Sequence, residues 1–342
     1  MGSLIRFFRR MFKLLTHSDI YRVIGIVFVV MLLGSIGFVV FETDMKFADG
    51  LWWSIVTLTT VGYGDISPAT PGGRLVGIAI MVVGIGLLGT LTATIASIFV
   101  ENRMLENRGM NATDMKDHFI ICGWNFRGAK IVEELRADAK CRDLPIVILA
   151  DLPEKPVRDE RVHFIDGEVE TDILEMANIR EAKVVIVLSD DRLDAHARDA
   201  KTVLSTLTIE SANPDVYTCV ELMDERNVPH CRRAHADEIV VVGALAANLL
   251  VQAALDHGIT GMVNELVSNR YGEELYKIPL PADLAGKTFF EAMCGLKEDR
   301  GILCVGIESS GEGKFVANPD KDYRLSPEDR LIVIAPERPE IA

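Results

Sequence analysis

The sequence lacks charged residues in two long apolar stretches near its N-terminus. Residues 23–41 and 75–100 contain no Asp, Glu, Lys or Arg, whereas charges are frequent after Glu101. Each stretch is about as long as the roughly 20 residues that a helix needs to cross a bilayer core. This absence excludes a chain that lies wholly in water. The lack of small-residue cleavage chemistry after Phe41 excludes a cleaved signal peptide.

Cysteine pairs are also lacking. All 6 cysteines lie after residue 120 and none belongs to a C-x-x-C pair, which excludes a disulfide framework and a zinc site of the usual spacing. The formal net charge is −14, and we expect no nucleic-acid partner. The sequence therefore predicts two spans in a lipid bilayer, followed by a soluble part.

Basic residues near the spans predict the orientation. The segment between the spans has Lys46 and, at its far edge, Arg74, whereas a basic cluster precedes the first span: Arg6, Arg9, Arg10, Lys13 and Arg22. By the positive-inside rule, residues 1–22 form a cytoplasmic N-terminus, and two crossings return the soluble part to the same side. The expected location is the plasma (inner) membrane of a prokaryote.

The segment between the spans includes the sequence ADGLWWSIVTLTTVGYGD and is too short to cross the membrane. Asp49 is expected to cap a short helix that runs to about Thr59, after which the chain turns back. Irregular backbone at membrane depth is tolerated only where protein or a water-filled cavity satisfies its polar groups. Two glycines permit positive φ in the next five residues, so that successive carbonyls point to one side: Thr60, Val61, Gly62, Tyr63 and Gly64.

The hexapeptide T-V-G-Y-G-D between two spans resembles the selectivity filter of potassium channels. The resemblance implies that residues 23–101 form a two-helix pore domain and that K⁺ is the permeant ion, held by stacked rings of carbonyl oxygens. It also implies a homotetramer, because one chain supplies one strand of the filter. In the second span, Gly84 or Gly86 becomes a candidate gating hinge, and close helix packing is the alternative explanation for either glycine.

The soluble part alternates between buried strands and helices, which predicts a parallel, doubly wound sheet. We expect a polar linker at 102–117, a Rossmann-like α/β domain at 118–243, and a small α+β C-terminal lobe at 273–342. Residues 244–272 read as a helical hairpin for subunit pairing, with an ordinary core helix as the alternative. The predicted strands of the Rossmann-like domain are Phe119–Cys122, Ile146–Ala150, Val162–Ile165, Val184–Leu188, Val216–Val220 and Glu238–Val242.

The first turn of this domain differs from the G-x-G-x-x-G fingerprint of dinucleotide-binding proteins. Asn125 replaces the middle glycine, which normally lets the pyrophosphate approach the backbone. Asp151 follows the second strand, where an acid usually holds the ribose hydroxyls, and Arg127 is able to neutralise a phosphate. The candidate ligands are NAD(H) or an adenine nucleotide, and the alternative is a Rossmann fold that has lost its ligand. The candidate residues are Gly123, Asn125, Arg127, Gly128 and Asp151.

Two spans followed by such a domain resemble the MthK-like potassium channels, which are gated by RCK domains (regulators of potassium conductance). The stretches ICGW, ILEMANIREAKVVIV and DYRLSPEDRLIVIA carry the similarity. The resemblance implies an eight-membered gating ring that moves the pore when a ligand binds. In the family, soluble copies that begin at an internal methionine can complete the ring. Met104, Met110 or Met115 would serve here, and each is otherwise an ordinary linker methionine.

Calcium is a gating ligand in that family, and this sequence departs from the family's ligand set. At the three acidic positions, Leu188 and Met223 replace two carboxylates and only Glu221 is retained. Because Ca²⁺ needs six to eight oxygen ligands, the site should be weakened. Asp190 and Asp191 join Glu221 as candidate metal ligands, and the alternative is a solvated acidic surface.

Two other classes of protein compete with a ligand-gated potassium channel. One is an NAD-dependent enzyme tethered to the membrane, but the C-terminal lobe offers no catalytic constellation of His, Lys or Ser. The other is a nucleotide-binding regulatory subunit of a separate transporter, which would have no need of its own filter. The sequence favours a potassium-selective channel, not an enzyme.

Overall fold

The computed structural model describes residues 18–110, 112–309 and 314–339. The chain divides into two compact units, Met1–Glu106 and Asn107–Ala342. Residues 1–17 of the predicted cytoplasmic N-terminus and residues 310–313 of the predicted C-terminal lobe lie outside the described residues.

Among the described residues of the first unit, from 18 onward, there are three helices, α1 (Ser18–Phe41), α2 (Phe47–Leu58) and α3 (Pro71–Asn107). Two of them are long and apolar enough to cross a membrane, with mean hydropathies of 2.9 for Tyr21–Phe41 in α1 and 2.3 for α3. The helix α3 continues past the predicted start of the linker at 102, because charged residues with good helix propensity do not end a helix where it leaves the apolar layer.

The short helix α2 is present as predicted, but its capping differs from the prediction. Asp49 lies in the first turn, and its carboxylate accepts a hydrogen bond from the backbone N–H of Lys46 at 3.1 Å. Asp49 therefore caps the helix as predicted, but from three positions after the N-cap residue Lys46, because its carboxylate reaches back to the N–H of that residue. An added Cβ on Gly50 would lie 2.9 Å from the carbonyl oxygen of Ser35, so α1 and α2 touch backbone to backbone.

The second unit begins with a six-stranded parallel sheet in the order β3-β2-β1-β4-β5-β6. Its strands coincide with the predicted ones to within two residues at each end, and the doubly wound α/β prediction is confirmed. The strands are β1 (His118–Cys122), β2 (Ile146–Ala150), β3 (Val162–Asp166), β4 (Ala182–Val187), β5 (Tyr217–Leu222) and β6 (Glu238–Val241).

Helices cover both faces of this sheet. Alternate side chains of β1 enter different cores, since Ile120 packs with Leu149 and Val220 whereas Ile121 packs with Ile148 and Phe164. This alternation is what a parallel sheet buried on both faces requires. The helices are α4 (Gly128–Ala137), α5 (Thr171–Met176), α6 (Ala195–Ala212) and α7 (Val228–Arg233).

A helical pair and a small second sheet follow. The predicted hairpin consists of α8 (Val242–Leu255) and α9 (Ile259–Leu266), and Leu250 and Leu255 on α8 are exposed. The C-terminal lobe has an antiparallel sheet in the order β7-β10-β8-β9 and the helix α10 (Phe289–Arg300). Its strands are β7 (Glu274–Pro279), β8 (Leu303–Ser309), β9 (Lys314–Ala317) and β10 (Arg330–Ala335).

Candidate functional site

The segment after α2 has the backbone that the glycine spacing predicts. The φ angle is positive at Thr60 (60°), Gly62 (56°) and Gly64 (76°), but not at the residues between them. Such alternation turns successive N–H groups to one side and successive carbonyls to the other. An added Cβ on Gly62 or Gly64 would meet no atom within 4 Å, so backbone conformation, and not space, requires glycine. A β-branched residue such as Thr60 is strained at positive φ, and such strain clusters at functional sites.

Trp52 braces this segment from α2. Its indole Nε1 donates a hydrogen bond to Oδ2 of Asp65 at 2.8 Å, and its ring stacks on Tyr63 with centroids 6.0 Å apart. The neighbouring Trp53 instead stacks on Phe38 of α1, with centroids 4.2 Å apart. One tryptophan therefore supports the filter segment, while the other joins α2 to α1.

Glu42 has a role that sequence reasoning missed. Its buried carboxylate accepts hydrogen bonds from the backbone N–H groups of Ala69 and Thr70, both at 2.9 Å, and from the hydroxyl of Thr70 at 3.0 Å. These donors lie just before the first turn of α3, where a helix favours negative charge. Glu42 thus joins the end of α1 to the start of α3. The available signal was an acid directly after an apolar span.

The two hinge candidates differ in their surroundings. A Cβ on Gly84 would lie 3.4 Å from the Cα of Leu58, so Gly84 allows α3 to pack closely on α2. A Cβ on Gly86 would meet no atom within 4 Å. The carbonyl oxygen of Gly86 accepts a hydrogen bond from the hydroxyl of Thr90 at 2.8 Å, a contact that often bends helices. Packing explains Gly84 and leaves Gly86 as the hinge candidate.

In the second unit, the first glycine turn is held by internal contacts. Gly123 has φ of 81°, and an added Cβ would lie 2.8 Å from the carbonyl oxygen of Leu188. A Cβ on Gly128 would lie 2.7 Å from the ring of Trp124. Both glycines are therefore needed for the turn itself, whether or not a ligand binds there.

Asn125, the residue in place of the middle glycine, is buried and turns toward the ends of β4 and β5. Its Nδ2 donates to the carbonyl oxygen of Ser189 at 2.9 Å and to Oε2 of Glu221 at 3.1 Å. Its Oδ1 accepts a hydrogen bond from the backbone N–H of Arg127 at 2.9 Å. Both polar atoms of its side chain therefore have partners within the protein.

Arg127 lies over the same buried carboxylate. Its Nη2 is 2.6 Å from Oε1 of Glu221, 3.3 Å from Oδ1 of Asp191 and 3.2 Å from Oγ of Ser189. The backbone N–H of Ser189 donates to the other oxygen of Glu221 at 3.0 Å. The guanidinium is therefore engaged with protein carboxylates.

The three candidate metal ligands each have cationic partners. Glu221 pairs with Arg127, and Asp191 pairs with both Arg127 and Arg198. Asp190 accepts hydrogen bonds from the guanidinium of Arg192, which hold the pKa of its carboxyl well below the usual range. Within residues 18–110, 112–309 and 314–339, no group of three or more His, Cys, Asp or Glu side chains is arranged to hold a metal ion.

A cleft opens at the carboxyl ends of β1, β2 and β4. Asp151 lies at its rim, where Oδ2 is 3.3 Å from Nη1 of Arg192. Lys201 of α6 lies on the opposite side, 2.7 Å from Oε1 of Glu168 and 3.2 Å from Oδ2 of Asp190. The floor is mainly apolar: Cys122, Leu149, Ala150, Val187 and Leu188. Such a crevice at the switch point of a doubly wound sheet is where ligands bind in this architecture.

Similarity to known protein families covers both units. The family described as "Ion channel" matches residues 19–101 and the one described as "TrkA-N domain" matches 119–242. A third, described as "Castor and Pollux, part of voltage-gated ion channel", matches 243–342. The first two matches fall on the segments predicted as the pore domain and the Rossmann-like domain, and the third spans both the predicted helical hairpin and the predicted C-terminal lobe.

Individual relatives are potassium channels. The calcium-gated potassium channel TvoK of Thermoplasma volcanium is 32% identical, over 98% of this chain and 98% of its own length. Potassium channel protein 1 of Methanocaldococcus jannaschii is 26% identical, over 90% of this chain and 91% of its own length. The human SLO3 gating ring has the same fold over 64% of this chain and 44% of its own, with a TM-score of 0.52 and 18% identity.

The resemblance found in the sequence is thereby confirmed along nearly the whole chain. The chain belongs to the MthK-like family of potassium channels, in which two transmembrane helices with a re-entrant filter precede a cytoplasmic RCK domain.

Proposed function

We propose that four copies of this chain form a K⁺-selective pore whose opening depends on a nucleotide bound to the RCK domain. The alternating φ angles at Thr60, Gly62 and Gly64 support the first half of the proposal. One strand offers a single column of carbonyls, and four strands around an axis replace the hydration shell of K⁺. Tyr63 is 68% exposed in the single chain, which leaves its ring free to meet a neighbouring copy.

The membrane topology follows from the same proposal. The basic residues before the first span support an N-terminus and an RCK domain in the cytoplasm of a prokaryote, with the filter entered from outside. We propose no enzymatic role for either unit. The ligand acts on the pore by binding, not by being converted.

The cleft beside Asp151 carries the ligand assignment. An acid at the end of β2 accepts hydrogen bonds from ribose hydroxyls, and Arg192 and Lys201 supply positive charge for phosphate. The pair between Asp151 and Arg192 has side-chain exposures of 59% and 60%. An exposed pair of this kind contributes about 0–1 kcal/mol, so a ribose displaces it at little cost. NAD(H), ADP and ATP are the candidates.

Ligand binding there has a direct structural consequence. Arg192 joins Asp151 after β2 to Asp190 after β4, and Lys201 joins Asp190 to Glu168 after β3. A nucleotide that takes over these cations releases three strand ends from one another. RCK rings are expected to convert such changes into movement of the inner helices.

An eight-membered ring requires soluble copies in addition to the four channel chains. Met115 packs against the core of the RCK domain, whereas Met104 and Met110 are exposed. A product that begins at Met104 or Met110 includes several residues before Met115 and so retains the packing of Met115 on the core. Met104 and Met110 are therefore the favoured internal start sites. Expression of the gene with Met104 and Met110 replaced by Leu, followed by mass analysis of the purified complex, tests this origin.

Calcium is the second candidate ligand, because the relative TvoK is described as calcium-gated. In this chain Glu221, Asp190 and Asp191 already pair with arginine or lysine. A Ca²⁺ ion would have to displace those cations, so a nucleotide is favoured.

Flux measurements on the purified full-length protein in liposomes test the proposal. We expect K⁺ and Rb⁺ to pass, Na⁺ to be excluded, and the flux to change when NAD, NADH, ADP or ATP is added on the RCK side. Replacement of Asp151 by Ala should remove the nucleotide response without altering the preference for K⁺ over Na⁺. A response to Ca²⁺ alone would overturn the nucleotide assignment, and absence of K⁺ flux would overturn the pore assignment.

A further inference from the structure

The two halves of the site at the carboxyl edge of the sheet differ in one respect. The half at β1 and β2 is an open cleft, while the half at β4 and β5 is filled by bonded side chains. We propose that the site accepts a nucleotide with a single nucleoside, such as ADP, and rejects a dinucleotide such as NAD. This inference rests on the nucleotide site proposed above and narrows its ligand.

The open half has the groups that one nucleotide needs. Asp151 reaches the ribose position, and Arg192 and Lys201 have side chains that are 60% and 33% exposed. These cations are held by neighbouring carboxylates at distances up to 3.3 Å and are able to turn toward a phosphate. Apolar side chains from β1, β2 and β4 form the floor on which a base packs.

The crossing point between the halves is closed by Asn125. In dinucleotide-binding domains the middle glycine of the turn makes room for the pyrophosphate to pass from one half to the other. Here the side chain at that position is only 7% exposed and bonds to Ser189 and Glu221. Moving the amide aside would leave buried polar partners without hydrogen bonds, which is costly.

The charge at the crossing point also opposes a diphosphate that passes from one half to the other, whereas the diphosphate of ADP stays in the open half beside Arg192 and Lys201. Glu221 is 6% exposed and places its carboxylate beneath the turn. The one cation on the turn, Arg127, is already 2.6 Å from Glu221 and 3.3 Å from Asp191. The guanidinium thus neutralises the protein's own acids and is not free for a bridging diphosphate, contrary to the role that its position in the fingerprint suggests.

The space beyond the crossing point is occupied as well. Asp199 of α6 is 1% exposed and accepts hydrogen bonds from the backbone N–H groups of Met223 and Asp224, both at 3.0 Å. Its Oδ2 also accepts a hydrogen bond from Nδ2 of Asn227 at 2.8 Å. The loop after β5 is therefore fixed against α6, where the second nucleoside of a dinucleotide would rest.

Equilibrium titration of the full-length channel in lipid nanodiscs with ADP and with NAD tests this inference. We expect a Kd for ADP at least about 30-fold lower than that for NAD, which corresponds to roughly 2 kcal/mol. If NAD binds as tightly as ADP, the inference is wrong while the nucleotide site stands. If neither ligand binds, both the inference and the nucleotide site fail.

Variants at Asn125 and Glu221 test whether the blocked crossing point causes the selectivity for ADP. The double variant Asn125→Gly, Glu221→Gln removes the amide and the charge, and the ratio of the two Kd values should fall by about tenfold. The single variant Asn125→Gly keeps the Arg127–Glu221 ion pair and serves if the double variant unfolds. Asp151→Asn is the matched control, because it weakens both ligands alike and preserves the ratio. An unchanged ratio in folded Asn125→Gly would overturn the assignment to the blocked crossing point.

Discussion

The filter segment at 60–64 and the turn at 123–128 are both short loops with two glycines, yet they are built in opposite ways. In the filter segment nothing lies within 4 Å of a Cβ added to Gly62 or Gly64, and positive φ is what requires glycine. In the turn, an added Cβ on Gly123 or Gly128 would collide with neighbouring atoms. We propose that the filter segment offers its backbone to an ion, while the turn uses its backbone to hold the domain together.

This difference predicts how each loop responds to substitution. A side chain added to the filter changes the direction of the carbonyls in every subunit of the channel, so its effect on ion binding recurs in each filter strand. A side chain changed in the RCK turn or cleft alters contacts one at a time, so its effect is graded.

Replacement of Gly62 by Ala should abolish K⁺ flux. Left-handed conformation costs a non-glycine residue about 1–2 kcal/mol, and the cost recurs in each filter strand. Gly89→Ala is the matched control, because Gly89 also has no atom within 4 Å of an added Cβ but lies in α3, where φ is not positive. Flux into liposomes measures both variants. Selective K⁺ flux through Gly62→Ala would show that φ does not restrict this position.

Replacement of Trp52 by Phe should shorten the time for which the channel conducts. The change removes the hydrogen bond to Asp65, worth about 1.5–3 kcal/mol for a charged acceptor, and keeps an aromatic ring beside Tyr63. Trp53→Phe, which alters the stack on Phe38 instead, should leave the decay of the current nearly unchanged. If the current decays equally fast in the two variants, the hydrogen bond between Trp52 and Asp65 does not stabilise the filter.

Replacement of Gly86 by Ala should lower the open probability several-fold. Alanine stabilises a helix by about 0.5–1 kcal/mol relative to glycine, which opposes bending. Gly84→Ala should act differently, because its Cβ presses on Leu58 at about the closest tolerated distance and lowers thermal stability. Single-channel recording distinguishes the two. If gating is unaltered in Gly86→Ala, Gly86 is not the gating hinge, and close helix packing is the remaining explanation for this glycine.

Replacement of Asp190 by Asn should lower the unfolding temperature of the purified channel at pH 7 by roughly 2–4 °C. The guanidinium of Arg192 depresses the pKa of Asp190, so its stabilising effect is present above the unfolded-state pKa of about 3.9. This effect is lost as the pH falls toward the lower, folded-state pKa. The difference between the proteins should therefore shrink below about pH 4. The exposed Asp283→Asn is the control, and a difference that grows in acid would contradict the ion-pair explanation.

The features that were predictable from the sequence are those set by neighbouring residues. The uncharged runs, the strands of the parallel sheet and the positive φ at Gly62 and Gly64 follow from local patterns, and the structure agrees with them. The end of α3 was less predictable, because leaving the apolar layer changes a helix's solvent without breaking its hydrogen bonds.

The features that were not predictable depend on distant partners. Asn125 bonds to Glu221 across 96 positions, and Glu42 bonds to Ala69 across 27. The sequence at Asn125 indicated only a weakened fingerprint, and the sequence at Glu221 indicated a metal ligand. Only the fold shows that Asn125 donates a hydrogen bond to Oε2 of Glu221 and that Arg127 forms an ion pair with Oε1 of the same carboxylate.

The central claim, that a nucleotide at Asp151 controls a K⁺-selective filter, is tested most directly by Rb⁺ uptake into proteoliposomes that contain the full-length channel. The proteoliposomes should take up Rb⁺ but not Na⁺. Rb⁺ uptake should change several-fold when ADP is added on the RCK side, and this change should be lost in Asp151→Ala. Rb⁺ uptake that is equal with and without ADP in the unmodified channel would contradict the claim.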